Sequence, residues 1–311
     1  MKKIYISAIS AAAFLICSLG YNVYSQNSGK DLSTVCVMSF NIRADVQTDA
    51  PNTWKNRKLW VTNLISKEDV VGLQELMPAQ YESLLESPKF KTFNYTTGND
   101  GTGKDGMSCV NAIFFNPEKL KAIEHGTFWL SETPDKASKG WDGKYQRCCN
   151  WAKFEISGGK RFYLFNTHLD NEGAMARRNG ANLIMRKIRE IISAAGDVKI
   201  PIIITGDFNC TAESEAIKTI CKNPSSKKIA PNHFSNAASV CDKLIDGPAF
   251  TYHGWMKIPD SQRATIDFIF AENIKRVCSF WVSNDPISPE LPATPAQFPS
   301  DHYPVCALIA L

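Results

Sequence analysis

The chain has 311 residues, with 35 Lys and Arg residues against 31 Asp and Glu residues, and 44% of its residues are hydrophobic. These values are typical of a globular protein, and they argue against a disordered chain, a collagen-like repeat and a multi-span membrane protein. The formal net charge of +4 does not indicate a nucleic-acid-binding surface, which would need a concentrated basic face.

The N-terminus has the pattern of a signal peptide. The segment begins with two basic residues, Lys2 and Lys3, and continues with an apolar run, Ile4–Gly20, that has few polar residues. Val23-Tyr24-Ser25 then offers a small residue before a cleavage point. The run of about 17 residues is at the lower limit for a bilayer span. We therefore predict a signal peptide over residues 1–25, cleaved near Ser25 and Gln26, and a secreted or periplasmic protein without stable membrane insertion. A retained anchor and a lipoprotein are the less favoured alternatives.

Loss of this segment changes both charge and cysteine content. Removing Lys2 and Lys3 lowers the formal net charge from +4 to +2, and removing Cys17 leaves nine of the ten cysteines. An odd number predicts at least one thiol that is free or paired with another molecule. Cys148 and Cys149 are adjacent, but no C-x-x-C occurs, so we favour structural roles over a cysteine nucleophile or a zinc site.

Short apolar segments alternate with amphipathic segments along the rest of the chain, which indicates an α/β fold. Helices are predicted after Asn52-Thr53, whose side chains can cap the helix start, from Pro78, and across Leu183–Ile192. Strands are predicted at Val35–Phe40, Val70–Leu73, Asn111–Phe115, Ala152–Ile156, Phe162–Asn166, Ile200–Thr205, Thr265–Phe270 and Val305–Leu311, and loops at Gly98–Gly106 and Asp285–Pro299. No linker-like segment divides the chain after the signal peptide. We therefore predict a short N-terminal segment over residues 26–32 and one domain over residues 33–311.

Polar side chains stand at the ends of these predicted strands. They are Asn41, Glu75, His168, Asp207, Asn209, Asp267, Asp301 and His302. Polar residues at strand ends can converge on one rim of a sheet, where α/β folds commonly bind ligands. Taken singly, each of these residues is more often a turn former or a cap. The combination of oxygen ligands and two histidines at successive strand ends has no shared structural explanation.

Six segments extend this pattern from Ser39 to Val305. They are Ser39–Arg43, Leu73–Glu75, Asn166–Asp170, Thr205–Asn209, Thr265–Ile269 and Ser300–Val305. In this order they resemble the motifs of the endonuclease/exonuclease/phosphatase superfamily, the deoxyribonuclease I-like proteins. Phe128–Pro134 further resembles a bacterial, often secreted and largely uncharacterised branch. The resemblance implies an α/β fold, a four-layer sandwich of two mixed β-sheets flanked by helices, with the active site between the sheet rims.

The resemblance also implies a metal site. Glu75 corresponds to the principal ligand, and Asn41 and Asp301 would contribute directly or through water. A divalent cation stabilises the negative charge that develops on phosphoryl oxygens during ester hydrolysis. Mg²⁺ favours a site with one or two carboxylates and several waters. We therefore expect Mg²⁺ as the cofactor, with Mn²⁺ as a possible substitute.

Catalytic roles follow from the same resemblance. Asp207 would accept a hydrogen bond from the attacking water or act as its base, and Asn209 would orient a phosphate oxygen. His302 would activate the water or donate to the phosphate, with Asp267 fixing its tautomer and raising its pKa. His168 would donate to a non-bridging oxygen or assist the leaving group.

Two further residues are candidates for binding the substrate phosphate. Arg147 lies where some relatives place a phosphate-contacting arginine, although a surface salt bridge would explain it equally well. Asp170 occupies a position that varies across the superfamily. It would either take part in the site or brace the loop from Asp170 to Arg177.

The leading hypothesis is a secreted, monomeric, metal-dependent phosphoric ester hydrolase that uses direct attack of water on phosphorus. Its substrate stays open between a nucleic acid, a lipid headgroup and a small molecule. Basic runs at Lys55–Lys58 and Arg177-Arg178 would suit a nuclease, but such runs are usually solvated helix faces. Trp129, Trp141 and Trp255 would suit a lipid surface if exposed, but most tryptophans pack in a core.

The alternative hypothesis is a catalytically silent binding module on the same scaffold. It predicts that a metal ligand or a catalytic histidine is missing, whereas every motif residue is present. A serine hydrolase is disfavoured because no G-x-S-x-G segment occurs.

Overall fold

The computed structural model describes residues 33–86, 94–97, 110–222, 226–229 and 233–311. The predicted signal peptide, the segment 26–32 and the predicted loop Gly98–Gly106 lie outside the described residues. The strands are β1 Thr34–Asn41, β2 Val70–Gln74, β3 Asn94–Thr97, β4 Ala112–Phe115, β5 Leu120–Trp129, β6 Cys148–Ile156, β7 Arg161–His168, β8 Ile202–Asp207, β9 Ser235–Asn236, β10 Cys241–Leu244, β11 Asp267–Glu272, β12 Arg276–Val282 and β13 Val305–Ala310. The α-helices are α1 Trp54–Ile65, α2 Pro78–Leu85, α3 Ala174–Ala194, α4 Glu215–Ile220 and α5 Ala237–Val240.

The described strands form two mixed sheets. The first has the order β10-β12-β13-β1-β2-β4-β3, and the second has the order β5-β6-β7-β8-β11-β9. β1 is parallel to β2 and antiparallel to β13, while β7 is parallel to β8 and β8 is antiparallel to β11. Both sheets therefore have parallel strands at their centre that end on the same side.

The layers are held together by three apolar clusters. Between the sheets, Val37 and Ile113 of the first sheet pack in one cluster with Phe154 and Ile203 of the second. On the outer faces, α1 covers the first sheet and α3 covers the second, with Ile188 among the buried residues of α3. This is the four-layer α/β sandwich that the resemblance implied.

Several elements differ from the sequence prediction. β5 was not predicted, because it is an edge strand that exposes charged residues such as Lys121 and Glu124 and so lacks an apolar run. The helix predicted from Leu183 begins earlier, at Ala174, because the carboxylate of Asp142 accepts the backbone N–H groups of its second and third residues at 3.2 and 2.6 Å. A cap supplied from another loop leaves no local sequence signal.

The prediction of a side-chain cap at Asn52-Thr53 is wrong, although α1 does begin at Trp54. Thr53 is the N-cap residue, but its side chain accepts no capping hydrogen bond. The side-chain carbonyl of Asn52 instead accepts the backbone N–H groups of Gln297 and Phe298 at 2.7 and 3.3 Å. Asn52 therefore joins the start of α1 to the loop that precedes β13.

Cysteine placement supports the predicted structural roles. Cys148 is in a disulfide, whereas Cys36, Cys149 and Cys306 are buried free thiols. The prediction of at least one free thiol is confirmed. Among the described residues, no helix combines the length and apolar character needed to cross a lipid bilayer.

Candidate active site

Strand register brings the polar residues of the second sheet together. In the β7–β8 pair, His168 lies opposite Asp207, and in the β8–β11 pair, Asp267 lies opposite Asp207. Three neighbouring strands therefore present an imidazole and two carboxylates at one rim. The side chains of all three residues are almost completely buried.

The first sheet contributes the facing residues. Asn41 ends β1, Glu75 follows β2, and Asp301-His302 precede β13, which runs antiparallel to β1. The side-chain N–H₂ of Asn41 donates to Glu75 Oε1 at 3.2 Å and to Asp207 Oδ2 at 3.0 Å. Asn41 therefore links the two rims directly.

A polar network between the sheets fixes the spacing of the rims. Gln74 Nε2 donates to Asn166 Oδ1 at 2.7 Å, and Asn166 Nδ2 donates to the carbonyl of Leu73 at 2.9 Å. Glycine is required at position 72, because a Cβ there would lie 2.3 Å from Thr205 Oγ1 and 2.5 Å from Asn166 Oδ1. The sheets thus approach closely through buried amides directly below the site.

Three residues of the site have left-handed backbone conformations. Their φ angles are 58° at Arg43, 59° at Glu75 and 50° at Asn209. Such conformations are unfavourable for residues other than glycine, and they occur preferentially at functional positions. The surrounding hydrogen bonds maintain them: the backbone N–H of Asn209 donates to Asp207 Oδ1 at 2.8 Å, and that of Arg43 donates to Asn41 Oδ1 at 2.9 Å.

His302 is held as an imidazolium. Its Nδ1 lies 2.9 Å from Asp267 Oδ2. Burial alone would lower the pKa of His302, but the negative charge of Asp267 and the hydrogen bond to it raise that pKa to about 10. The ring of Tyr252 packs against the imidazole with a centroid distance of 5.0 Å. At neutral pH the protonated Nε2 of His302 is thus available as a donor rather than as a base.

The pKa of Asp207 is also raised, which in a carboxyl group favours the neutral form. Burial and the charge of Asp267 raise the pKa of Asp207 to about 7. Its Oδ2 lies 3.4 Å from His168 Nε2 and 3.8 Å from His302 Nε2. A carboxylate with a pKa near neutrality can accept a proton in one step and release it in the next, as a general base requires.

His168 is neutral and acts as a hydrogen-bond acceptor in this arrangement. Burial and the charge of Arg147 lower the pKa of His168 well below its usual value. The side-chain N–H₂ of Asn209 donates to the carbonyl of Leu169 at 2.9 Å and faces His168 Nε2 at 2.9 Å. Because the Leu169 carbonyl can only accept, it fixes the orientation of the Asn209 amide, and Nε2 must then carry the lone pair. Donation by His168 to a substrate would require this hydrogen bond to exchange.

The opposite side of the site is rich in carboxylates. The hydrogen bond from the backbone N–H of Ala44, at 3.0 Å, and the charge of Arg43 outweigh burial and lower the pKa of Glu75. Burial raises the pKa of Asp301, and the charge of Glu75 adds to that effect. Arg43 lies 3.8 Å from Asp301, but it shares its charge with Asp49 through a contact of 2.8 Å. The two site carboxylates therefore lack full compensation by protein cations.

This donor set fits a divalent cation. Glu75 and Asp301 are the oxygen donors, and the amide N–H₂ of Asn41 orients Glu75 from behind. The side-chain carbonyl of Asn41 accepts the backbone N–H of Arg43. This orientation favours an indirect contribution of Asn41 to the metal site. Asp207, Asp267 and His302 also place donor atoms within 4.8 Å of one another. That group is less suited to a metal, because the proton on His302 and its hydrogen bond to Asp267 already satisfy it.

Arg147 and Asp170 have different surroundings. Arg147 lines the cavity, stacks over Tyr145 at 5.3 Å and places Nη2 3.3 Å from Asn171 Oδ1. The carboxylate of Asp170 lies behind Arg147, 3.8 Å from its Nε. It accepts four backbone N–H groups, those of Lys144, Tyr145, Glu172 and Gly173, at 2.8–3.0 Å. The geometry therefore favours a bracing role for Asp170 over direct contact with a phosphate.

The predicted residues surround one cavity of about 430 Å³. The cavity is lined by Glu75, Arg147, His168, Asp207, Asn209, Asp301 and His302, together with residues of the flanking loops. Asn41, Asp170 and Asp267 lie behind this lining and bond to it. The structure thus brings the ten residues into one site, while the chemical role of each stays a prediction.

Three residues of functional interest were not among the predicted site residues. Arg43 lines the cavity and ends the segment Ser39–Arg43, whereas Tyr252 lines the cavity from outside the six segments. Arg57 belongs to the run Lys55–Lys58, which was predicted to be a solvated helix face. That prediction is wrong for Arg57, which is completely buried. The heptad-like position of Arg57, one turn after Trp54 on the apolar side of α1, is the signal that would have indicated burial.

Comparison with known proteins identifies the family. Residues 38–302 match the family model described as the Endonuclease/Exonuclease/phosphatase family. The chain belongs to this family. Because members of the endonuclease/exonuclease/phosphatase family are phosphoric ester hydrolases, the chemistry expected at the site is the hydrolysis of a phosphate ester.

Two solved structures of the family resemble the chain closely. An endonuclease/exonuclease/phosphatase from Bacteroides vulgatus is 32% identical with a TM-score of 0.75, over 89% of this chain and 99% of that one. A mannosyl-6-phosphatase from Bacteroides thetaiotaomicron is 27% identical with a TM-score of 0.74, over 89% and 100%.

A curated sequence relative matches a smaller part of the chain. An uncharacterised protein of Acanthamoeba polyphaga mimivirus is 28% identical over 164 residues, which are 50% of this chain and 59% of the viral protein. The match thus spans about three fifths of the length of that relative.

Proposed function

We propose that the protein is a secreted, divalent-metal-dependent phosphoric ester hydrolase in which an activated water attacks phosphorus directly. The observation that carries this proposal is the pairing of Asp207 and His302 in one cavity, with Asp207 Oδ2 3.8 Å from His302 Nε2 and the pKa of each group raised. Asp207, with a pKa of about 7, is suited to be the base, and His302, with a pKa of about 10, is suited to be a cationic donor. Glu75 and Asp301 lie beside them as candidate metal ligands.

In the proposed reaction each of these side chains has a separate role. Asp207 takes a proton from water as the new P–O bond forms and the ester P–O bond breaks. The leaving oxygen takes up a proton from solvent and departs as the alcohol, and Asp207 releases its proton to solvent before the next turnover. The imidazolium of His302 donates to a phosphoryl oxygen, and Asp267 keeps it protonated. Asn209 holds His168 and Asp207 in position. Mg²⁺ or Mn²⁺, held by Glu75 and Asp301, would neutralise charge on the phosphoryl oxygens.

We propose a small phosphorylated molecule, such as a phosphorylated sugar, as the substrate. The relative at 27% identity is named a mannosyl-6-phosphatase, and a cavity of about 430 Å³ suits a ligand of that size. The lipid hypothesis loses support because Trp129 and Trp255 are each only 7% exposed. The nuclease hypothesis loses support because one of the basic residues in Lys55–Lys58 is buried.

The proposal is tested by a substrate panel with the purified protein. The panel contains mannose 6-phosphate, a chromogenic phosphomonoester, the corresponding phosphodiester, plasmid DNA and sphingomyelin vesicles, each with Mg²⁺ and with EDTA. Metal-dependent release of phosphate from the monoesters is expected. Cleavage of DNA or sphingomyelin alone would overturn the proposed substrate class. No detectable hydrolysis of any substrate would favour the alternative hypothesis of a catalytically silent binding module.

The pH dependence of kcat/KM should be bell-shaped. Asp207 must be ionised to accept a proton, so kcat/KM should rise as pH increases through about 7, after correction for ionisation of the substrate phosphate. His302 must be protonated to donate, so kcat/KM should fall as pH increases through about 10. An Asp267→Asn variant should move the alkaline limb to lower pH. An alkaline limb unchanged in that variant would contradict the proposed state of His302.

Replacing Arg147 with alanine should weaken substrate binding. A hydrogen bond to a charged group contributes about 1.5–3 kcal/mol, so KM is expected to rise about 10–100-fold with a smaller change in kcat. Lys144→Ala is the matched control, because Lys144 precedes Arg147 closely in the sequence but forms an exposed ion pair with Glu172. Equal KM values for the Arg147 variant and the control would remove Arg147 from the substrate site.

A further inference from the structure

Arg57 is a buried cation with an unusual set of partners. It extends from α1 with none of its surface exposed. Its guanidinium donates to backbone carbonyls of Ile42, Arg43, Ala44, Asn52 and Pro299. Among the ion pairs of the described residues, none involves Arg57. Its positive charge is therefore solvated by backbone dipoles rather than neutralised by one carboxylate.

Aromatic rings enclose the same guanidinium. Its central carbon lies 5.2 Å from the ring centre of Trp54 and 5.8 Å from that of Trp255. Cations are attracted to the faces of such rings, and the interaction is stronger where water is excluded. The rings and carbonyls together hold the guanidinium plane in one orientation.

Four of these five carbonyls, all except that of Asn52, belong to two segments that flank residues of the candidate metal site. The segment 42–44 follows Asn41, and its backbone N–H groups orient the Asn41 and Glu75 side chains through Arg43 and Ala44. Pro299 directly precedes Ser300, whose hydroxyl donates to the backbone carbonyl of Asn41 at 2.6 Å. Asp301 follows Ser300. Arg57 thus connects both segments from below the site.

We propose that Arg57 is a positioning residue that ties the segment after β1 to the segment before β13 and so sets the spacing of Asn41, Glu75 and Asp301. The inference rests on the proposed metal-dependent hydrolysis and extends it to a residue outside the cavity. Arg57 does not line the cavity, so its effect on the site must pass through the backbone that it holds.

Arginine is required for this role because of its shape. The planar guanidinium carries five N–H donors in a fixed fork, which allows it to bond carbonyls of separate segments at once. A lysine would keep the positive charge but offers three donors on a single nitrogen. Lysine at position 57 should therefore keep the buried charge and lose part of the connection between the segments.

The test compares wild-type protein with R57K and R57M variants. Mn²⁺ binding to the EDTA-stripped full chain is measured by electron paramagnetic resonance of free Mn²⁺, and folding is verified by circular dichroism. Substitutions behind a metal site typically weaken binding 10–100-fold. We expect the Mn²⁺ dissociation constant to rise about tenfold in R57K and further in R57M, and kcat at saturating Mn²⁺ to fall with little change in KM.

K153M is the matched control for loss of a buried cation. Lys153 of β6 is buried, as Arg57 is, but it pairs with Asp197 at 2.5 Å. It lies opposite Tyr163, which is toward the other end of β7 from His168. It should lower thermal stability without changing Mn²⁺ affinity. Wild-type Mn²⁺ affinity and kcat in folded R57K would overturn the positioning role. Absence of Mn²⁺ binding in the wild-type protein would instead overturn the proposed function, and this inference with it.

Discussion

Replacing His302 with alanine should lower kcat by about 10²–10⁴-fold at neutral pH, because proton-transfer assistance by a positioned side chain is typically of that size. The structure gives a specific reason for the loss. Asp267, 2.9 Å from Nδ1, raises the pKa of His302 to about 10, so the wild-type site holds a fixed imidazolium donor. Alanine removes this donor and leaves the buried Asp267 carboxylate without its partner. Steady-state kinetics with the preferred phosphate ester measure the effect.

The control for this prediction is His125→Ala, which removes an exposed histidine of β5 away from the cavity. It should retain the wild-type kcat. The Asp267→Asn variant should fall between the two, because the imidazole keeps its place but its pKa is no longer raised by a negative charge. A His302→Ala protein that is folded and retains more than half of the wild-type kcat would exclude His302 from the chemistry.

Replacing Glu75 with glutamine should weaken Mg²⁺ binding more than any other single change in the site. The variant keeps the shape of the side chain but removes the negative charge that a hard cation requires. We expect the Mg²⁺ dissociation constant to rise at least about 10–100-fold, and kcat to fall in proportion at low Mg²⁺. Isothermal titration calorimetry on EDTA-stripped protein measures the binding.

Thermal unfolding gives an independent readout of the same prediction. A ligand that binds only the folded state stabilises it in proportion to RT ln(1 + [L]/Kd), so Mg²⁺ should raise the Tm of the wild-type protein. The Tm of Glu75→Gln should respond less to Mg²⁺. Glu172→Gln, which alters an exposed carboxylate, should respond like the wild type. Equal Tm responses in all three proteins would place the metal elsewhere or show that none binds.

The sequence predicted the core of the fold because its central strands are buried on both faces. β1, β2, β7 and β8 have continuous apolar runs, and each run ends in a polar residue of the site. The edge strand β5 and the short β10 lack such runs, since one or both faces are exposed to water. Their positions depend on pairing with strands distant in sequence, which local patterns do not encode.

The composition of the site and the raised pKa of His302 beside Asp267 were predictable, whereas the raised pKa of Asp207 was not. Motif residues at strand ends pointed to Asp207, Asp267 and His302 separately. The pKa shifts of Asp207 and His302 arise when β8, β11 and the segment before β13 place these two groups and Asp267 within hydrogen-bonding or ion-pair distance. The sequence left open whether His302 activates water or donates to the phosphate. The raised pKa of His302 and that of Asp207, at about 7, favour the second role for the histidine and the role of base for Asp207.

Arg57 and Asp170 show where interpretation by residue type fails. Arg57 lies in a run of charged residues, and although its place on the apolar side of α1 is a signal of burial, its partners become evident only when the carbonyls of segments 42–44 and 299 are placed around it. Asp170 lies in a motif, but its carboxylate is used by backbone N–H groups of two loops. In both cases the partners are backbone atoms, which carry no signature in the sequence.

The most direct test of the central claim is the rate of phosphate release from the preferred monoester before and after removal of metal. The purified protein is assayed as isolated, after EDTA stripping and exchange into metal-free buffer, and after addition of Mg²⁺. Loss of activity on stripping and recovery with Mg²⁺ are the predicted results. Hydrolysis that continues at the original rate in the stripped protein would contradict the metal-dependent mechanism.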